Sequence, residues 1–302
     1  VIKYFHCAFY RLCPMSSFSA KRFRALAVAL LVFPGWAYSL ETLTYRAELN
    51  SVLTLGAWAT VGTVTVTSRD VGLCPGGGSC RLTEAWLTSE AAPALEALYP
   101  LRYLYRTAYR PVQGTTLAFE ELRNRRNPDG SGEYGWRHRL LWLQGRRESA
   151  MRYDFEYEGD ETPEDVALWI HSDKAGGQPL KVHNTREVPM GLPALDRLGG
   201  LDLLRRIELT PGVSLTSPGA GPKGPLTFIA TVEQSVTLEI APGHVRDAWR
   251  VRIEERRSGR DEPDPAPLYA WIADDAARTP VRFSMDHVIG RLRLTLEQAG
   301  PL

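Results

Sequence analysis

The sequence lacks the residue patterns that mark most enzyme active sites. No serine lies in a GxSxG context, which a nucleophile elbow would need, and the histidines are scattered without paired metal-ligand spacing. The segment from Asn127 to Glu133 resembles the start of a calcium loop, but His138 stands where a bidentate Glu belongs, so a hairpin turn is favoured. We therefore expect a protein that is not an enzyme, with no cofactor and no metal.

Cysteine is also scarce, with 4 in the chain of 302 residues. Cys7 and Cys13 lie near the start, whereas Cys74 and Cys80 bracket the glycine-rich stretch PGGGS. Their spacing is not CxxC and no histidine lies nearby, which disfavours redox or metal chemistry. We expect a Cys74–Cys80 disulfide in an oxidising compartment, worth about 2 kcal/mol for so short a loop.

Acidic residues are missing from the first 39 positions, which hold five basic side chains. Lys21, Arg22 and Arg24 precede an apolar run from Ala25 to Val32, and Ala37-Tyr38-Ser39 then offers small residues for cleavage. The run is too short to span a bilayer unless it stays uncleaved. We predict that residues 1–39 are a secretory signal, with Met15 a candidate for the true start, and that the rest is exported and soluble.

Removing this segment leaves 36 − 5 = 31 basic against 35 acidic residues, a net charge of about −4. A mildly acidic protein has no general attraction to nucleic acid. We therefore expect no nucleic-acid partner and, after cleavage, no transmembrane segment.

Alternation of apolar and polar residues recurs along most of the remaining chain, as in strands with one buried face. The clearest alternating segments are 62–67, 115–126, 136–142, 151–157, 226–240, 245–254 and 268–297. Short helices are predicted at Ala91–Tyr99 and within Pro189–Ile207, the second interrupted at Gly199-Gly200. No long linker divides residues 40–302, so we predict a single, mainly β domain: one antiparallel, strongly curved sheet, half-barrel or barrel with one or two short helices.

The order of several motifs along residues 40–298 resembles the bacterial exported family called domain of unknown function 3108. The motifs are LTYRAEL, GTVTVTS, LDLLRRIELTPG, LYAWIADDAARTPVRF and GRLRLTLEQ. The CPGGGSC loop and an expanded 158–188 region depart from the family pattern. The resemblance implies an all-β periplasmic fold similar to lipid-carrying, lipocalin-like barrels and half-barrels, and it supplies no catalytic residues.

The apolar side of such a sheet must be covered, either by the leucine-rich helix or by a ligand. Its aromatic content leads us to predict a non-enzymatic protein that binds an amphipathic, lipid-like or glycolipid-like envelope ligand. The predicted ligand-binding residues of the concave face are Trp136, Leu140, Trp142, Tyr153, Phe155, Tyr157, Phe228 and Trp249.

Arginine is concentrated between Arg102 and Arg152, a stretch that contains eleven arginines and only five acidic residues. Arg123, Arg125 and Arg126 are candidate contacts to anionic groups of the cell envelope. The alternative is a solvated hairpin face whose charge is balanced by acids elsewhere. A structural or interaction module that contacts another envelope protein is the second functional hypothesis.

Overall fold

A computed structural model describes residues 40–71, 79–98, 101–123, 149–154, 194–221, 224–257, 266–287 and 290–300. All of them belong to one compact unit, Tyr38–Leu302. The strands are β1 Leu40–Asn50, β2 Trp58–Val71, β3 Cys80–Thr88, β4 Arg102–Arg110, β5 Thr115–Arg123, β6 Ser149–Asp154, β7 Ser214–Gly221, β8 Gly224–Ala241, β9 His244–Arg257, β10 Leu268–Ala273, β11 Pro280–His287 and β12 Gly290–Ala299. The helices are α1 Pro93–Leu98 and α2 Arg197–Leu204, with a 3₁₀ turn at Val52–Thr54.

The strands form one 12-stranded sheet in the order β6-β5-β4-β3-β2-β1-β12-β11-β10-β9-β8-β7. Each half is a meander in which consecutive strands pair antiparallel, and β1 joins the halves by pairing with β12. The edge strands β6 and β7 are not paired with each other. The predicted mainly β, antiparallel architecture is confirmed, the sheet is open, and both predicted helices are present.

A short segment before α2 connects the two halves of the sheet. The backbone nitrogen of Thr116 in β5 donates to the carbonyl of Ala194 at 2.9 Å, and that of Leu195 donates to the carbonyl of Pro218 in β7 at 3.1 Å. Leu195 also forms a parallel bridge with Gly219. The segment thus makes one hydrogen bond with each half of the sheet. It meets β5 at Thr116, just before the point where the pairing of β5 with β6 begins, at Ala118.

Helix α2 lies against the concave face of the sheet. Leu204 is buried in a cluster with Val232, Val251 and Ile272 of β8, β9 and β10, and Leu201 packs against the same cluster. Burial of these aliphatic side chains is the main source of stability for a helix this short, which would be marginal alone.

The predicted interruption at Gly199-Gly200 is wrong, because α2 continues through both glycines. Asp196 caps the helix by accepting from the backbone nitrogens of Leu198 and Gly199. A side chain at Gly199 would place its Cβ 3.0 Å from the Asp196 Oδ1 atom, and one at Gly200 would begin 3.9 Å from the Phe228 ring. The first glycine therefore permits close approach inside the helix instead of ending it.

Strands β4 and β5 differ from the simple expectation of one buried face. All residues from Leu104 to Arg110 and from Thr115 to Glu121 are buried, including the charged ones. Arg106 reaches Glu84 of β3 at 2.8 Å and Glu120 of β5 at 3.4 Å, and these residues are register neighbours. Cross-strand ion pairing satisfies the charges of Arg106 and Glu120, which alternation alone would not have placed together.

Candidate functional site

Helix α2 divides the concave interior into two cavities, each of about 240 Å³. Cavity A lies between α2 and strands β7–β11, and cavity B lies between α2 and strands β1–β4, β11 and β12. Leu201 of the helix and Leu268 of β10 line both cavities. The interior of the sheet is therefore partly filled by the helix and partly open on each side of it.

The wall of cavity A is mostly apolar. Its main apolar side chains are Leu203, Leu204, Leu215, Phe228, Ala230, Ile253 and Met285. Its charged lining residues, Arg197 and Glu255, form a bidentate ion pair with distances of 2.6 and 2.9 Å. The hydrogen bond to Glu255 raises the pKa of the Arg197 guanidinium above its ordinary value, although burial acts to lower it. The pair is therefore charged but internally neutralised.

Cavity B combines apolar strand residues with a second ion pair. Its apolar lining includes Leu43, Tyr45, Val64, Val66, Ala85, Phe283 and Leu294. Arg205 at the end of α2 binds Glu41 of β1 in bidentate fashion at 2.6 and 2.8 Å. Burial raises the pKa of the Tyr45 hydroxyl, which stays protonated and donates to the Pro280 carbonyl at 2.8 Å.

Asp196 fixes the helix between the cavities. Its carboxylate accepts hydrogen bonds from the hydroxyls of Thr116 at 2.7 Å, Thr107 at 2.9 Å and Tyr105 at 3.1 Å. Burial raises the pKa of the Asp196 carboxyl, while the hydrogen bonds from Thr116, Thr107, Leu198 and Tyr105 act in the opposite direction. A fully buried carboxylate with this many donors is a structural anchor that determines where α2, and hence both cavities, lie.

The predicted ligand-binding residues are only partly described. Phe228 is buried and lines cavity A, and half-buried Trp249 packs in the core cluster behind Leu204 without lining either cavity. The backbone of Tyr153 lies in β6 opposite Phe119. Trp136, Leu140, Trp142, Phe155 and Tyr157 lie outside the described residues. Ligand contact by this set stays a prediction.

The candidate anion contacts lie at the margin of the described chain. Arg123 ends β5, whereas Arg125 and Arg126 lie beyond it. Two other arginines of the same stretch are paired with acids: Arg102 with Glu90 and Glu96, and Arg106 with Glu84 and Glu120. For these two arginines, the structure favours the alternative in which acidic residues balance the charge of the basic stretch, over a face that binds anions.

The predicted disulfide also falls partly outside the described residues. Cys80 begins β3 and is fully buried against Leu82, Ala108, Leu117 and Ala118, whereas Cys74 lies outside. The Cys74–Cys80 bond therefore stays a prediction.

Sequence reasoning missed most of the cavity lining and its anchor. Tyr45 and Tyr109 line cavity B from β1 and β4, two strands that lie outside the alternating segments of the sequence, so only their aromatic character could have nominated them. Asp196 directly precedes a leucine-rich helical stretch, which is the position of an N-cap. Its three hydroxyl donors come from β4 and β5, and no local pattern predicts that meeting.

Across the described part of the chain, no group of three His, Cys, Asp or Glu side chains could hold a metal ion. Within the same residues, no helix has the length and apolar character to cross a bilayer.

An open antiparallel sheet curved around an inner helix and two apolar cavities defines a β-barrel-like protein. The chain belongs to the family described as protein of unknown function (DUF3108), whose model matches residues 137–297, and this confirms the resemblance seen in the motifs. The crystal structure of a β-barrel-like protein of domain of unknown function DUF1849 from Brucella abortus is similar at 8% identity and a TM-score of 0.44, covering 87% of this chain and 98% of that one. No curated protein matches the chain.

Proposed function

We propose that the protein is a non-enzymatic, periplasmic binding protein that holds the apolar part of an amphipathic, lipid-like ligand beside α2. The observation that carries the proposal is the pair of apolar cavities left open on either side of the helix. Apolar cavities of this kind are poor sites for water, which needs several polar partners. An apolar ligand would bury the apolar surface of the cavity walls and make van der Waals contacts with them, and both effects favour binding.

The size of the cavities limits what they would enclose. Each has about 240 Å³, whereas pockets for whole small molecules are about 300–1,000 Å³. We therefore expect one cavity to take a single acyl chain, with the polar head group outside. A larger ligand would require Leu201, which lines both cavities, to move.

The charged residues beside the cavities bear on head-group selection. The Arg197–Glu255 pair of cavity A and the Arg205–Glu41 pair of cavity B are each neutralised within the protein. A ligand's charged group would gain little from either pair without breaking it. We therefore expect chain length to influence affinity more than the head group does.

Export to the periplasm is the second part of the proposal and rests on the signal pattern of residues 1–39. A fusion of the full chain to a reporter that is active only outside the cytoplasm tests it directly. We expect reporter activity, and N-terminal sequencing of the mature protein should begin at Leu40. Activity that survives deletion of residues 21–32, or a protein found only in the cytoplasm, would refute export.

The ligand proposal is tested by native mass spectrometry of protein purified from its own compartment, followed by solvent extraction and lipid analysis. We expect a bound species of lipid mass, and displacement of a fluorescent fatty acid from refilled protein. Protein that is ligand-free and takes up no fatty-acid or lysophospholipid probe would contradict the proposal. If cell crosslinking then identified one protein partner, lost on substitution of Arg123, Arg125 and Arg126, the interaction-module hypothesis would replace it.

Neighbouring positions on β7 provide a matched pair of variants. Ser217 lines cavity A, whereas Thr216 is exposed and has the opposite strand parity. Ser217→Leu should fill the cavity and weaken probe binding at least about tenfold, while Thr216→Leu should leave it unchanged. Equal binding by both variants, with cooperative unfolding retained, would exclude cavity A as the site.

A further inference from the structure

The turn between β1 and β2 presents two apolar side chains to solvent. Val52 is 90% exposed and Leu55 is 95% exposed, the two highest values among the large apolar side chains in the described part of the chain. We call these two residues the apolar tip. Two large apolar side chains exposed on one short turn are a candidate interaction surface.

Several backbone groups beneath the apolar tip are hydrogen-bonded within the turn. The nitrogens of Thr54 and Gly56 donate to the Ser51 carbonyl at 3.1 and 3.0 Å, and that of Ala57 donates to the Thr54 carbonyl at 3.0 Å. The Thr54 hydroxyl is 3.0 Å from the Ser51 carbonyl and 2.7 Å from the Ala57 carbonyl. Polar backbone groups must be paired internally before a segment can leave water for hydrocarbon, and these groups meet that requirement.

Leu55 occupies a backbone conformation that leucine rarely adopts. Its φ is 54°, in the left-handed region where glycine or asparagine is favoured. The side chain gains no burial within the protein from this placement, since Leu55 is 95% exposed. Leu55 is the C-cap of the 3₁₀ turn and its nitrogen donates to the Val52 carbonyl at 3.1 Å, so the turn holds a large apolar side chain in water at a position where glycine is favoured.

Below the apolar tip, Trp58 and two arginines surround the turn. Trp58 is 36% exposed, and the Arg293 guanidinium lies 3.9 Å from its ring centroid. Arg293 pairs with Glu48 at 3.0 Å and Arg291 with Asp286 at 2.8 Å, so this collar carries no net charge. Tryptophan and arginine are favoured at the level of lipid head groups, because their apolar parts can face the hydrocarbon while their polar ends stay in water.

The strand register places the apolar tip at the same end of the sheet as one side of cavity A. Leu268 and Met285 line that cavity and are register partners, Met285 pairs with Leu292, and Leu292 pairs with Leu49 of β1. The turn begins two residues after Leu49. A surface contacted by the tip would therefore face this end of the sheet.

We propose that the apolar tip inserts into a lipid bilayer and docks this end of the sheet on the membrane surface. Two side chains bury far less area than a stable protein interface requires, whereas insertion into lipid needs no complementary partner surface. The proposal goes beyond the binding function and does not depend on it, because the tip would dock whether or not a cavity is occupied.

The test is flotation of the purified protein with phosphatidylcholine vesicles, alone or mixed with phosphatidylglycerol. We expect binding to both, similar in strength, since the collar is neutral. Val52→Ser with Leu55→Asn should lower the partition coefficient at least about tenfold. Asn suits the left-handed conformation, so the fold should be kept, which circular dichroism and thermal unfolding would verify.

Val112 supplies the matched control, since it is 82% exposed on the β4–β5 turn at the opposite end of the sheet. Val112→Ser should leave vesicle binding unchanged. Lipids with brominated chains should quench wild-type fluorescence more than that of Trp58→Phe. Failure of the wild type to float, or equal flotation of the Val52/Leu55 variant, would overturn the proposal, as would concentration-dependent self-association through the tip in the absence of vesicle binding.

Discussion

The Thr116 hydroxyl and Asp196 exchange hydrogen bonds: the hydroxyl donates to Oδ1 at 2.7 Å and accepts from the Asp196 backbone nitrogen at 2.9 Å. Thr116 belongs to β5, and Asp196 is the N-cap of α2. The reciprocal pair therefore holds the start of the inner helix against one half of the sheet. Because α2 separates the two cavities, their shapes depend on this contact.

Removal of the Asp196 carboxylate should be strongly destabilising. Asp196→Ala deletes the helix cap and removes the carboxylate that accepts from the buried hydroxyls of Tyr105, Thr107 and Thr116. We expect a loss of about 3 kcal/mol or more in the free energy of unfolding. Urea denaturation measures it. Asp247→Ala, which removes an exposed carboxylate that accepts from Thr237, should cost about 1 kcal/mol or less; comparable losses would show that Asp196 is not an anchor.

The pH dependence of the same contact has a definite sign. Burial raises the pKa of Asp196 in the folded state, so the folded protein holds this proton more tightly than the unfolded chain. The stabilisation from its protonation is fully present below the unfolded pKa of about 3.9 and is lost as pH rises through the folded pKa. The free energy of unfolding of the wild type, relative to that of Asp196→Asn, should therefore fall as the pH rises from about 3. A relative stability that rises with pH would contradict the shift.

The Glu41–Arg205 pair should behave as a buried ion pair. Arg205→Met leaves Glu41 buried without its partner, and we expect a loss of about 3 kcal/mol in unfolding free energy. The double variant Glu41→Met with Arg205→Met should recover most of that loss. A double-mutant cycle checks this, with the exposed Arg46–Glu297 pair as control, where coupling should be about 0.5 kcal/mol. Equal coupling in both cycles would mean that the burial of the Glu41–Arg205 pair is immaterial.

Adjacent glycines of α2 should respond oppositely to alanine. At Gly200 the new methyl meets nothing closer than 3.9 Å, so Ala should stabilise the helix by about 0.5–1 kcal/mol. At Gly199 it would lie 3.0 Å from Asp196 Oδ1 and 3.1 Å from Leu195 Cδ2, so Ala should destabilise by about 1 kcal/mol or more. Chemical denaturation of both variants provides the comparison. Stabilisation by both would mean that the Asp196 site tolerates an added methyl.

Strands such as β8 were predictable because they bury side chains with period two, as Leu226, Phe228, Ala230 and Val232 do. The continuity of α2 could not be predicted. Gly199 allows the helix to approach Asp196 and Thr116 closely, and Thr116 lies on a distant strand. The burial of Glu120 could not be predicted either, because its ion pair with Arg106 depends on the register of two strands and not on local sequence.

The candidate site was also predictable only in part. Alternation and aromatic content nominated Phe228, which lines cavity A. The other half of the interior was missed because cavity B is formed where β1–β4 meet α2 and β11–β12, and only the tertiary arrangement brings these elements together. The predicted set was drawn largely from one aromatic region of the chain, whereas the cavities take one to three residues from each of many strands.

The pairing of β1 with β12 also has a consequence for folding. Most strand pairs join neighbours in the sequence, but this pair lies at the centre of the sheet and joins its first and last strands. Contacts of such high sequence separation carry the largest loop-closure entropy and slow folding. The two meanders can begin to form early, but they become one sheet only after β12 has been synthesised, so the native state is reached late relative to synthesis.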